Sequence, residues 1–265
     1  MATIPPFYFV GIRFLIGALL FTLIFFNRLK FTSPDIIKAG LLLGFFQYVG
    51  FCTQTIGMIY TTASNSALIT GITILIVPFA QYAVVKKKVH IENWIGVAVV
   101  LGGLYLLTQP DVKGLNIGDL ITMFCAFAWA FYIIYVDVYT NKYDIITLIF
   151  IQLWFVVIAA GGTGMIFEDF SAIAFTQNEI LSLLYMGILA TFVTTILLNR
   201  FQKDTTPIRA SIIYTWEQPA AVLLAVIFIN EHFSPWQLLG GGIMVAGILF
   251  SETYEYLGNN THRMT

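Results

Sequence analysis

About nine apolar runs follow one another along this chain, separated only by short polar breaks, and most approach the ~20 residues of helix that span a bilayer core roughly 30 Å thick. Their limits fall near residues 5 to 26, 35 to 59, 63 to 85, 92 to 108, 117 to 138, 144 to 167, 180 to 201, 207 to 229 and 235 to 256. With 58% hydrophobic and 10% charged residues, against about a quarter charged in ordinary soluble domains, the chain has too little polar surface to face water. The pattern predicts an all-α, polytopic membrane helical bundle. The longest break, Glu168 to Glu179, is too short for a soluble domain. The first run is too long for the apolar core of a signal peptide and is not followed by a small-residue cleavage pattern, so it is read as a span.

Charge and cysteine usage exclude several classes. The net charge is -1 and the longest basic cluster is Lys86, Lys87 and Lys88, which gives no footprint for nucleic acid. Cys52 and Cys125 sit inside apolar runs at no metal-binding or redox spacing, and read as small core residues. No metal or cofactor is expected. The partners expected are a small-molecule substrate, protons and the lipid bilayer, with monomer and homodimer both open.

Orientation follows from the basic residues in short loops, which resist translocation. One side collects Arg28, Lys30, Lys38, Lys86, Lys87, Lys88, Lys142, Arg200, Lys203, Arg209 and Arg263. The other has only Lys113, beside Asp111, Asp119, Glu168, Asp169, Glu179 and Glu231. The expectation is a multi-pass protein of the cytoplasmic (inner) membrane, with Met1 external and the C-terminus cytoplasmic. The Asn259-Asn260-Thr261 sequon then lies on the cytoplasmic tail and is silent.

A repeat runs through the chain. Shifted by 144 positions, residues 61 to 105 align without a gap on 205 to 249, with Thr61 and Thr62 on Thr205 and Thr206, Ile69 on Ile213, Gly96 on Gly240 and Gly103 on Gly247. Five spans separate each helix from its counterpart, and an odd number turns the second copy upside down in the membrane. Inverted repeats are the usual ground plan of secondary transporters.

Three stretches carry a specific resemblance. They are Tyr60-Thr-Thr-Ala-Ser-Asn-Ser-Ala-Leu-Ile-Thr-Gly, then Gly118-Asp119-Leu120 leading to Ala128-Trp129-Ala130-Phe131-Tyr132, and Trp216-Glu217-Gln218-Pro219 with Asn230-Glu231. Together they resemble the recurring patterns of EamA-type members of the drug/metabolite transporter superfamily. The resemblance implies ten helices in two inverted five-helix halves, and exporters or exchangers of small metabolites, amino acids among them. Here Gln218 intervenes between Glu217 and Pro219, where family members usually place Pro directly after Glu. Residues 144 to 167 match 5 to 26 at a shift near 139, placing Arg13 on Gln152, so the counterpart of the span at 117 to 138 would precede Met1. The halves expected are 1–110, lacking its first helix, and 111–256, followed by a tail at 257–265; an incomplete N-terminus and a nine-helix variant both fit.

Ionisable groups inside a bilayer are costly unless paired or hydrated, so each invites a role. Glu217, near the middle of its span, can bind a proton or a cationic substrate group, or make a structural hydrogen bond. Arg13, about two turns from the external end of its span, reads first as a snorkelling or ion-paired residue and second as a substrate contact. Gln47 and Gln54 lie on one helical stripe with Gly40, Gly44, Phe51 and Met58, where packing alone explains the glycines. Thr122, Cys125, Trp129 and Tyr132 share a face that either walls a substrate site or fills the core. Asn65, Thr73, Thr195, Asn199 and Tyr214 are further polar candidates, and Pro78 and Pro219 are candidate helix breaks in repeat-related helices. Trp94, Trp236, His90 and His232 read as interfacial anchors.

The function these features favour is a secondary transporter of a small organic metabolite, an exporter or exchanger. Two alternatives stay open: an N-terminally incomplete or non-transporting membrane subunit, and an intramembrane enzyme. Against the enzyme, no H-E-x-x-H, G-x-S-x-G or paired intramembrane carboxylates appear, and no phosphate-binding loop suggests an ATP-driven pump.

Overall fold

A computed structural model describes residues 4–86, 89, 91–109, 116–170, 173, 175–229 and 232–262. Lys87, Lys88, His90, Asp111, Lys113, Asn230, Glu231 and Arg263, and the joint between the two sequence halves, lie outside the described residues. The helices are α1 (Pro6–Phe25), α2 (Pro34–Tyr60), α3 (Ala63–Gly71), α4 (Thr73–Val85), α5 (Ile91–Thr108) and α6 (Ile117–Thr140). They continue with α7 (Ile145–Phe167), α8 (Gln177–Gly187), α9 (Thr194–Phe201), α10 (Pro207–Tyr214), α11 (Glu217–Ile229) and α12 (Pro235–His262). Seven helical stretches, with α3–α4, α8–α9 and α10–α11 each counted as one, are long and apolar enough to cross a membrane; shorter apolar helices cover Asn93–Thr108 and Pro235–Ser251. The described residues therefore form the nine apolar helices that the sequence predicts, with no strand among them. The last helix runs on to His262, past the expected span limit.

The chain packs as two compact units, Met1–Ile59 with Tyr135–Asp204, and Tyr60–Ile134 with Thr205–Thr265. Each unit draws helices from both sequence halves. In the first, α1 lies antiparallel to α7, with Tyr8 against Gly164 and Gly11 against Gly161. Val10, Phe14, Ala18 and Phe21 join Ile149, Leu153, Val156 and Ala160 in its core. Lipid tails are as apolar as Leu, so close backbone approach rather than escape from water holds such helices together. Glycines provide that approach: a Cβ on Gly44 would stand 2.7 Å from Cβ of Phe155, and one on Gly187 2.7 Å from Cβ of Ile16. The packing reading of Gly40 and Gly44 is thus what the structure shows, since a Cβ on Gly40 would meet Ile151 at 2.6 Å.

Polar side chains fasten the helix ends of this unit. Glu168 closes the first turn of α1 from 160 residues away, its two carboxylate oxygens accepting the N–H groups of Phe7 at 2.9 Å and Tyr8 at 3.0 Å. Asp144 caps α7 by accepting from the Thr147 N–H at 2.9 Å, and the Thr147 hydroxyl accepts from the Lys30 N–H at 2.8 Å, tying down the connection before α2.

In the second unit the inverted repeat is visible in the backbone. The helix over Ala63–Val85 is interrupted at Ile72, and the one over Pro207–Ile229 at Thr215 and Trp216. At a shift of 144 residues α3 falls on α10, α4 falls on α11, and Ile72 falls on Trp216. Their starts agree too: the Thr62 hydroxyl accepts from the Asn65 N–H, and the Thr206 hydroxyl from the Arg209 N–H. The counterparts α5 and α12 run antiparallel along each other. A Cβ on Gly103 would stand 2.7 Å from Met244, while one on its counterpart Gly247 would stand 2.9 Å from Val100, itself the counterpart of Met244. One contact is made twice, once from each copy. Around it Ile74, Val77, Val100, Leu104, Ile208 and Ile212 fill the core.

Candidate functional site

The first unit holds Gln47, Gln54, Arg13, Gln152, Thr195 and Asn199. On α2, Gln47 is buried, and Phe51 and Gln54 follow at helical spacing on the same face, half-buried. The Gln47 side-chain oxygen is buried without a hydrogen-bond partner. The guanidinium of Arg13 sits 4.5 Å from the centre of the Phe51 ring and 5.7 Å from that of Phe14, so α1 turns its cation towards this stripe of α2.

Arg13 does not snorkel and pairs with no acid among the described residues, which corrects the first reading of it. It is 7% exposed, its Nε donates to the Thr191 hydroxyl at 3.0 Å, and its Nη2 donates to the Ala190 carbonyl at 3.3 Å. Both acceptors belong to a π-helical segment, Ile188–Val193, inserted between α8 and α9. Wide turns of this kind recur at functional sites. The repeat-related Gln152 is wholly buried and donates to Asn199 at 3.3 Å, and Asn199 donates on to the Thr195 carbonyl at 2.9 Å. Both repeat positions thus send a polar group to the same helical stretch.

The second unit holds the remaining candidates. Asn65 is buried in the first turn of α3, and Tyr214 ends α10 just before its interruption, packed on the core. The face of α6 expected to carry Thr122, Cys125, Trp129 and Tyr132 is buried at Thr122, Cys125 and Tyr132, each 0% exposed. Trp129 is half-buried and meets Tyr132 edge to face at 5.4 Å. Pro219 falls in the first turn of α11, where its missing N–H has no helical partner to lose, whereas Pro78 lies inside the continuous α4. The interruptions themselves precede both prolines.

Glu217 opens α11 directly after the interruption and is exposed. It makes no hydrogen bond or ion pair with a described residue. At the repeat shift it occupies the place of Thr73, whose hydroxyl donates to the Ala126 carbonyl of α6 at 3.2 Å. The surrounding face differs between the copies in the same sense, for Ile69 is 7% exposed and its counterpart Ile213 36%, and Ala80 is 5% exposed and Leu224 54%.

The Gly118-Asp119-Leu120 stretch has a structural task. Asn116 and Asp119 cap α6 reciprocally, the Asp119 N–H donating to the Asn116 side chain at 2.9 Å and the Asn116 N–H to Asp119 at 3.0 Å. The Thr61 hydroxyl also donates to Asp119, which pins the α2–α3 turn to the start of α6. The Asn116-x-x-Asp119 spacing is the local signal for this cap, which the sequence analysis missed, and no local pattern points to Thr61. Trp236 is exposed and Trp94 rests against Phe79 at 5.1 Å.

Comparison with known proteins adds to this geometry. The model of the EamA-like transporter family matches residues 1–109 and 116–253. An "Uncharacterized transporter" of Archaeoglobus fulgidus is 29% identical, over 93% of this chain and 77% of its own length. "Uncharacterized transporter YoaV" of Bacillus subtilis is 22% identical, over 96% of this chain and 89% of its own length. A solved structure described as "Crystal structure of protein" superposes with a TM-score of 0.79 at 15% identity, covering 94% of this chain and 89% of that one, a likeness of fold alone. Two halves matched by one family model, nine apolar helices among the described residues and an inverted repeat lead to one assignment: the chain is a multi-pass membrane protein that belongs to the EamA-like transporter family.

Proposed function

We propose that the protein is a secondary transporter, an exporter or exchanger, that moves a small organic metabolite across the cytoplasmic membrane by alternating access. One observation carries the reading. Two membrane helices are broken at repeat-equivalent places, Ile72 and Trp216, each half-helix starting from the same Thr cap. Interrupted, inverted pairs are how carriers build a midplane site from backbone ends and let two similar halves expose it in turn. A static scaffold or an intramembrane enzyme has no need of the pair.

In this reading Glu217, at the opening of α11, carries the coupling proton or pairs with an amine of the solute, and Gln47, Gln54, Asn65, Trp129, Tyr132 and Tyr214 contribute to binding. The C-terminus faces the cytoplasm, as the basic loops require. The test is counterflow: the purified full chain in liposomes, preloaded with unlabelled amino and carboxylic acids, should accumulate the labelled form of its solute. Uptake equal to that of protein-free vesicles across the whole panel refutes the carrier.

A further inference from the structure

Arg13 presents an unusual balance of charge. Burying a guanidinium costs several kcal/mol even after relaxation, and such a group is normally compensated by a carboxylate. Among the described residues Arg13 has none: its acceptors are a hydroxyl and a carbonyl, both neutral, and the Phe51 ring offers only the negative face of a quadrupole. Two of its five N–H groups are used, and Nη1 donates to no described residue. Nε and Nη2 are fixed on the π-helical segment and one face of the plane is covered, so the free Nη1 edge is held in orientation rather than left to swing. A planar cation held with one edge unpaired among the described residues matches the geometry of a carboxylate.

The neighbouring stripe adds a second, independent sign. Gln47, one helical turn before the ring that Arg13 covers, is 3% exposed, and its side-chain oxygen accepts nothing. A buried amide oxygen without a donor costs ~1–3 kcal/mol, and a ligand bearing an N–H or O–H removes that cost.

We propose that Arg13 is the carboxylate anchor of this carrier, so that its solute is a small organic acid that also carries a hydrogen-bond donor, the carboxylate taking the Nη1 edge and the donor going to Gln47. This rests on the carrier reading and gives it a substrate class. The neutral acceptors then have a reason: they position the cation without neutralising it, leaving the attraction for the solute. Thr191 is a positioning residue, since its hydroxyl holds Nε.

The test uses the purified full chain and its thermal unfolding in the presence of L-leucine, L-phenylalanine, benzoate and succinate, each beside its own carboxamide. At least one acid should raise the melting temperature while its amide does not, and Arg13→Lys, which keeps the charge but loses the fork, should weaken that binding about tenfold or more. Gln47→Glu offers a variant that adds no bulk: it puts a carboxylate on the stripe that Arg13 faces, where it competes with the acid for the guanidinium, so the protein should fold and the acid should no longer bind. Equal shifts by acids and amides, no shift from any acid, or acid binding retained in Gln47→Glu overturns the proposal. Counterflow separates it from the carrier reading. A solute without a carboxylate that is carried equally well by Arg13→Gln removes the anchor and keeps the carrier, whereas an acid that binds through Arg13 but never crosses the vesicle membrane keeps the anchor and removes the carrier.

Discussion

Alanine at Gly240 tests whether the α5–α12 seam is as tight as its geometry implies. The new Cβ would stand 2.5 Å from the Leu107 nitrogen and 2.6 Å from the Gly103 oxygen, both backbone atoms that no rotamer change can move away. To bring 2.5 Å up to 3.4 Å, the shortest ordinary contact, the two helices must part by about 0.9 Å. They are rods, so the gap opens all along the seam, and a gap of 0.5–1 Å forfeits roughly a quarter to a half of each dispersion contact. The expected loss is ~1–3 kcal/mol, less the small gain from replacing Gly by a better helix former. Gly242, two residues on, has nothing within 4 Å of a new Cβ, so Gly242→Ala should be neutral or stabilising. Thermal unfolding of both variants in the same detergent makes the comparison, with Gly240→Ala melting below the parent and Gly242→Ala at or above it. Alanine at both Gly103 and Gly240 should cost less than the sum of the single changes, because the first substitution already opens room for the second. If Gly240→Ala melts with Gly242→Ala, the seam is loose and the argument fails.

Three further outcomes are expected. Cysteine at the exposed Asp169 should react with an impermeant thiol reagent in intact cells while cysteine at the exposed Lys203 should not, and the native Cys52 and Cys125, both buried, give little background; the reverse pattern inverts the topology. Glu168→Ala should lower the stability by ~1 kcal/mol, with Glu168→Gln milder, because two N–H groups at the start of α1 lose their acceptors; an unchanged melting temperature for the alanine variant removes the cap. Glu217→Gln should abolish the pH dependence of flux in vesicles without harming folding, since no hydrogen bond to a described residue is lost; a pH profile like that of the parent returns Glu217 to a passive place on its helix.

The spans were legible because each rests on one local property, apolarity over a helix length that the bilayer sets. The interruptions were not. Ile72 and Trp216 are unremarkable residues for a helix, and the prolines that drew attention, Pro78 and Pro219, lie beyond the breaks, one inside α4 and one in a first turn that tolerates it. The local signals were the caps Thr62 and Thr206, whose hydroxyls start α3 and α10. Arg13 was visible as a charge inside a span, but its environment comes from Thr191 and Ala190, almost 180 positions away, and no local pattern predicts that. The same holds for Glu168 on α1: a loop carboxylate looks like an exposed charge until the fold brings an open helix start to it.

The sparse identities of the repeat follow a physical rule. A contact between two inverted copies of one helix is made at equivalent positions from each side, so a close crossing calls for a small residue in both copies. Gly96 with Gly240 and Gly103 with Gly247 match across the halves for that reason, since all four lie along the α5–α12 seam. The Thr62 and Thr206 caps match because each starts a half-helix that must end within two turns and a half. Thr73 and Glu217 do not match: the Thr73 hydroxyl donates to the Ala126 carbonyl of α6, whereas Glu217 is exposed. Where the symmetry is made by contact the sequence keeps it, and where the surroundings of the two copies differ the chain is free to place a carboxylate opposite a hydroxyl. Glu217 stands at one such divergence, opposite the hydroxyl of Thr73.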